Sequence, residues 1–190
     1  MMVRRAYTTA CETWRDCRRC VMSAWRRHVV FGRGSVPADA VFIGEAPGKS
    51  EDLIGSAFIG ASGQVADAFL RQVMRYADWP GMSWYLTNVC ACRPSDHFCG
   101  PNREPTDLEA LYCRPRLAMT IAHARPRVVV FFGQAAQHHA AAICPDGIGV
   151  PHPAWFARMG RAAADPWRAA VRTVGAALRA AKEGRDDDEA

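Results

Sequence analysis

Ala38-Asp39-Ala40-Val41-Phe42-Ile43-Gly44 runs straight into Glu45-Ala46-Pro47-Gly48. An apolar run closed by glycine and proline reads as a short buried strand that delivers a loop. Ser62-Gly63-Gln64 then opens a helix to about Ala77, because Val65, Ala66, Phe69, Leu70 and Val73 recur at helical spacing. Residues 84–89 read as a second strand. Thr106-Asp107-Leu108-Glu109 is a capping-box start for the next helix, which Pro115 is expected to kink or break near Cys113. Residues 127–132 form a third strand ending at Gly133, followed by a helix from Gln134 to about Ile143. A short strand over residues 147–150 and an amphipathic helix over 166–181 complete the pattern. Strand and helix alternate, so the fold class is α/β, with a parallel sheet covered by helices on both faces. Ligands of such sheets sit at the carboxyl ends of the strands, which here carry Glu45, Asn88 and Gly133.

The 190 residues, 49% hydrophobic and 23% charged, suit one domain with its own core. Residues 1–182 read as that domain and 183–190 as an acidic, disordered tail, where Glu183, Asp186, Asp187, Asp188 and Glu189 outweigh Lys182 and Arg185. The body is therefore more basic than the net charge of +5 implies. The longest strongly apolar run, residues 128–132, falls far short of the ~20 residues of a membrane-spanning helix. No apolar stretch follows the basic start, so a secretory signal is not expected and a cytoplasmic location is. Lys49 and Lys182 are the only lysines, and arginines crowd the first 33 positions. Their planar forks suit phosphates, which makes nucleic acid the expected partner; a GC-rich genome would explain the arginine usage but not the clustering.

In a reducing compartment, eight cysteines point to metal binding, catalysis or plain burial. Cys17-Arg18-Arg19-Cys20 has a chelating spacing. Cys92 and Cys113 each open a Cys-Arg-Pro triplet. Four thiolates from one close pair and two distant positions suit either tetrahedral zinc or a 4Fe-4S cluster. Cys11, Cys90, Cys99 and Cys144 lack partner spacing and read as small buried side chains, with Cys99 the nearest to an alternate ligand.

Gly44-Glu45-Ala46-Pro47-Gly48, Phe58-Ile59-Gly60-Ala61-Ser62-Gly63-Gln64, Leu86-Thr87-Asn88-Val89 with Cys92-Arg93-Pro94, Asn102-Arg103-Glu104-Pro105-Thr106 with Cys113-Arg114-Pro115, and His152-Pro153-Ala154 with Arg158 resemble the family 4 uracil-DNA glycosylases. The pieces occur in the same order from Cys17 to Arg158. The resemblance implies a three-layer α/β/α fold with a four-stranded parallel sheet. It also implies base excision repair by a monomer acting on uracil-containing DNA, and a 4Fe-4S cluster on Cys17, Cys20, Cys92 and Cys113.

The same resemblance assigns roles. A flipped base must be read in a closed pocket, with Phe58 stacking on it and the Asn88 amide matching the O4 and N3–H edge of uracil. His152 donates to uracil O2 as negative charge develops there, and Glu45 serves the sugar cation and the attacking water. Backbone amides of Ala46 and Gly48 and the helix start at Ser62 hold phosphate or water. Arg158, with Arg18, Arg19, Arg26 and Arg27, contacts phosphates. Several features depart from the pattern: Ala91 replaces the usual lysine before Cys92 and Ser56-Ala57 the usual Arg-Pro before Phe58, an insertion at residues 95–100 carries His97 and Cys99, the segment between Gly133 and His152 is short, and Ala46 stands where some other uracil glycosylases place an aspartate. They leave open another modified pyrimidine as substrate, or a catalytically weak iron-sulfur module that binds DNA.

Overall fold

The computed structural model describes residues 2–188. Helix α1 (Met2–Glu12) leads through a 3-10 turn at Val21–Ala24 to a two-residue strand β1 (Arg33–Gly34). Strand β2 (Ala40–Gly44), the apolar run read first, is buried along its whole length. Helices α2 (Lys49–Ile54) and α3 (Ala61–Tyr76) cross to β3 (Trp84–Asn88), and α4 (Asp107–Ala124) crosses to β4 (Val128–Phe132). Helix α5 (Gln134–Ala140), β5 (Ile148–Val150), α6 (Pro153–Met159) and α7 (Ala164–Asp188) follow.

The sheet order is β1-β3-β2-β4-β5. Strands β3, β2, β4 and β5 are parallel, as expected, and β1 adds an antiparallel edge that the sequence did not announce. Two residues are too few to carry a period. What makes the edge is Gly32 and Gly34, at φ 149° and 116°, where a Cβ would collide with the backbone of β3.

Alternate side chains of β2 feed two cores. Ala40 and Phe42 join Leu86, Val130 and Phe132 beneath Phe69, Val73, Val174 and Leu178 of α3 and α7. Val41 and Ile43 join Phe131, Leu117 and Ala136 beneath α4 and α5. Trp167 meets Phe69 and Phe156 edge-on at centroid separations of 5.4 and 4.9 Å, which binds α3, α6 and α7 together.

Two expectations change. Of the kink or break expected at Pro115, the break does not occur: α4 continues through it after the Thr106 capping box. Pro115 and Leu111, whose carbonyl loses its helical donor, both lie on the exposed face, so the freed carbonyl is not sealed from solvent. The acidic segment from Glu183 continues α7 as far as Asp188 rather than leaving the domain as a disordered tail. Glu189 and Ala190 fall outside the described residues. Among the described residues, no helix is long and apolar enough to cross a membrane.

Candidate active site

Strand order reverses at β2, which has β3 on one side and β4 on the other, and a crevice opens beyond the carboxyl ends of strands at such a point. Here a cleft of about 710 Å³ is lined by Glu45, Glu104, Gly133, His152, Trp155 and Arg158, among others. Glu45 directly follows β2, Gly133 follows β4, and His152 is the N-cap of α6 just beyond β5.

His152 is fixed by local structure. Its Nδ1 accepts a hydrogen bond from the Ala154 backbone N–H at 3.0 Å, so the neutral ring carries its proton on Nε2. Burial, reinforced by the positive charge of Arg158, lowers its pKa to about 4. The ring at neutral pH is thus an uncharged N–H donor. Gly133, at φ 90°, lies alongside it: a Cβ there would stand 3.2 Å from His152 Cβ.

Behind the cleft, Gly44 pairs with Asn88 in the sheet register. A Cβ on Gly44 would lie 2.6 Å from both Asn88 Oδ1 and Phe58 Cζ, so the amide and the ring converge on this glycine. Asn88 is 3% exposed, and its side-chain amide has no hydrogen-bond partner among the described residues. Phe58 is also packed into the core, edge-on to Phe132 at 5.8 Å.

Phe58 adopts φ 55°, a left-handed conformation that costs a bulky residue energy. The surroundings hold it there. Gly63 lets α3 approach so closely that a Cβ would strike the Phe58 carbonyl. Arg33 donates to the carbonyls of Ala57 and Phe58 at 2.8 and 3.0 Å and pairs with Asp67 at 2.6 Å. Glu51 accepts from Gly48, Ile59 and Gly60 N–H groups at 3.1, 3.1 and 2.9 Å, tying the loop after β2 to the Phe58 loop.

This geometry revises one expectation. The Gly48 amide, read as a phosphate or water donor, is engaged by Glu51. Ser62 lies in the first turn of α3, where helical N–H groups lack intrahelical partners. Ala46 is half-buried against the α4-side core. Glu45 is half-buried, and desolvation together with the charge of Glu104 raises its pKa. Sequence reasoning had not singled out Glu104, although it sits within the quoted Asn102–Thr106 motif. Its neighbour Arg103 is held by Glu109 at 2.6 Å and Asp96 at 2.7 Å.

Arg158 lies exposed at the cleft. Arg18, Arg19 and Arg27 are also exposed, Arg19 over Trp14 and Arg27 over Phe98, each at 4.7 Å from the ring centroid. Arg26 is half-buried, and its charge acts on Cys92 and Cys113.

Cys17, Cys20, Cys92 and Cys113 come from three segments and act electrostatically on one another. Burial pushes the Cys92 thiol up to about 12. Cys113 is held below the ordinary thiol range, first by a hydrogen bond with Cys90 and then by the charges of Arg116 and Arg26. Tetrahedral zinc at ~2.3 Å from each thiolate would draw the sulfurs to roughly 3.8 Å. Among the described residues, however, the one group of three potential ligands within 4.8 Å of one another is Asp107, His138 and His139. Cys90 is buried against Cys113 rather than being an isolated core side chain. Cys99 stands exposed at φ 66°, contrary to the expected burial, because the inserted loop carries it outward.

Comparison with known proteins finds several relatives called Type-4 uracil-DNA glycosylase. The chain is 32% identical to one from Saccharolobus solfataricus over 63% of its own length and 52% of the relative. It is 37% identical to one from Archaeoglobus fulgidus over 64% and 56%. A third, from Thermotoga maritima, is 34% identical over 66% and 60%. The match thus spans between half and three-fifths of these curated relatives. The model of the uracil DNA glycosylase superfamily matches residues 31–174, a span that holds the sheet and the whole cleft. The chain belongs to the uracil DNA glycosylase superfamily.

Proposed function

We propose that this protein excises uracil from DNA, hydrolysing the N-glycosidic bond of a flipped nucleotide to leave an abasic site. The observation that carries the reading is His152: a neutral ring, tautomer set by Ala154, presenting an N–H donor in a cleft that also holds Glu45. Bond cleavage leaves negative charge on the pyrimidine, and a preoriented donor at its O2 stabilises that charge. A neutral donor fits this task because it needs no prior protonation at physiological pH. The names of the relatives supply the base.

Asn88 reads the uracil edge with an amide whose donor and acceptor are both uncommitted, and Phe58 forms the wall beside it. Cytosine presents the opposite pattern at the same edge. Glu45 accepts from the attacking water and faces the developing sugar cation; its raised pKa keeps a proton affinity suited to a base. Arg158 at the cleft and the exposed Arg18, Arg19 and Arg27 meet phosphates.

Cys17, Cys20, Cys92 and Cys113 would hold a 4Fe-4S cluster. The donor set supports this: four cysteines from three segments whose charges act on one another supply the thiolates such a cluster needs. When bound, the cluster supplies a covalent clamp joining the segment after α1, the loop after β3, and α4. The test is a uracil-containing oligonucleotide, single- and double-stranded, incubated with the protein and then treated with alkali. Strand scission at the uracil is the expected result. Intact strands with folded, iron-loaded protein would refute the activity, and stoichiometric zinc without iron would refute the cluster.

A further inference from the structure

Arg116 lies on α4, one turn beyond Cys113, and is the largest of the fully buried side chains at 1% exposed. Its Nη1 donates to Thr87 Oγ1 at 3.1 Å, and its Nη2 donates to the carbonyls of Asn88 and of Val89, the latter at 2.7 Å. All three acceptors are neutral and belong to the end of β3 and the residue after it. Among the described residues, Arg116 enters no ion pair, and its Nε is the one sealed side-chain polar atom without a partner.

A guanidinium keeps its charge in any protein environment. Burying it with only neutral acceptors is costly, and an apolar side chain of similar size would avoid that cost. Its charge is felt by Cys113 and Cys90, and also by Cys11 and Tyr85, while the fork grips the strand end that carries Asn88.

We propose that Arg116 is a positioning residue that links the base-reading end of β3 to the cysteine centre: its fork sets the backbone from which the Asn88 amide projects, and its buried charge, one helical turn from Cys113, is a counter-ion on the α4 side of that centre. The inference rests on the function proposed above. Four thiolates around an iron-sulfur core form an anionic unit, and a buried cation beside them loses the penalty that it carries alone. The two ties use different properties of one side chain, so they separate experimentally.

Lysine keeps the charge and loses the fork; methionine keeps the length and loses both. Wild type, Arg116→Lys and Arg116→Met are prepared anaerobically. Three quantities are measured: iron content, the rate at which the visible absorbance fades under an iron chelator, and steady-state uracil release. For Arg116→Lys, KM rises about 10-fold with kcat within about threefold of wild type, and iron is retained at the wild-type rate. For Arg116→Met, KM rises in the same way and iron loss is several-fold faster. Wild-type KM in folded Arg116→Lys overturns the positioning tie, and wild-type iron retention in Arg116→Met overturns the counter-ion tie. If Arg116→Met does not fold, Arg116→Gln takes its place with the same expected outcome. Failure of the underlying reading is visible separately, because wild type itself would then release no uracil or hold no iron, and the inference would fall with it.

Discussion

Gly44 and Asn88 face each other across β2 and β3 so closely that a Cβ on the glycine would stand 2.6 Å from the amide oxygen of the asparagine. The Phe58 ring is at the same distance from that point. Gly44→Ala therefore pushes the Asn88 amide and the Phe58 ring away from each other. Overpacking of this kind costs about 1–3 kcal/mol. The expected result is a KM for uracil-containing DNA raised roughly 5- to 100-fold, with the fold retained by circular dichroism. Unchanged KM would show that the base does not sit against Gly44.

His152→Ala removes the neutral ring N–H to which the proposed function assigns the developing charge. Loss of one such donor lowers kcat by roughly 10²–10³, measurable in single-turnover uracil release. The same residue controls part of the pH dependence of stability. Its pKa is lowered from 6.5 to about 4 in the folded protein, so the unfolded chain binds the proton first as pH falls. Stability is fully present above about pH 6.5 and is lost as pH drops toward 4, by about 2–3 kcal/mol. Urea denaturation at pH 7 and pH 4.5 should show this slope in wild type and a shallower one in His152→Asn.

Glu104 is the second carboxylate of the cleft and raises the pKa of Glu45. Glu104→Gln removes that charge, so Glu45 releases its proton at lower pH. The acid limb of the kcat/KM profile is expected to move to lower pH, with uracil release retained at pH 8. An unmoved limb would mean that another group limits the rate in acid.

The parts of this molecule that repeat were legible in its sequence. Ala40–Gly44, Trp84–Asn88 and Val128–Phe132 declared themselves as strands because buried parallel strands are continuous apolar runs. The Thr106 capping box marked the start of α4 correctly. What stayed hidden depends on contacts far apart in the chain. The edge strand at Arg33–Gly34 has no period, and the fit of Pro115 within α4 depends on which face meets water. Among site residues, Glu45, His152 and Arg158 could be named in advance and do share the cleft, while Asn88 and Phe58 lie behind it at Gly44. Arg116 could not be foreseen, since an arginine three positions after a cysteine looks like any surface cation until burial is known.

Glu51 gathers three backbone N–H groups from two loops. Glu51→Ala leaves them without an acceptor and is expected to destabilise the protein by about 2 kcal/mol, read by urea denaturation. Because the same bonds hold Phe58 in its left-handed conformation, uracil release should fall more steeply than stability. Glu51→Gln keeps one acceptor oxygen for Ile59 and Gly60 but turns an NH2 donor toward the Gly48 N–H, so it should recover only part of both.

The two-residue strand β1 has a consequence for how copies of the protein meet. A parallel sheet ends in rows of unpaired N–H and C=O groups, which invite another chain to add on. At the β3 side, Arg33 and Gly34 occupy that row, and at the other side β5 is only three residues long. The sheet therefore offers little template for edge-to-edge aggregation between copies of the chain.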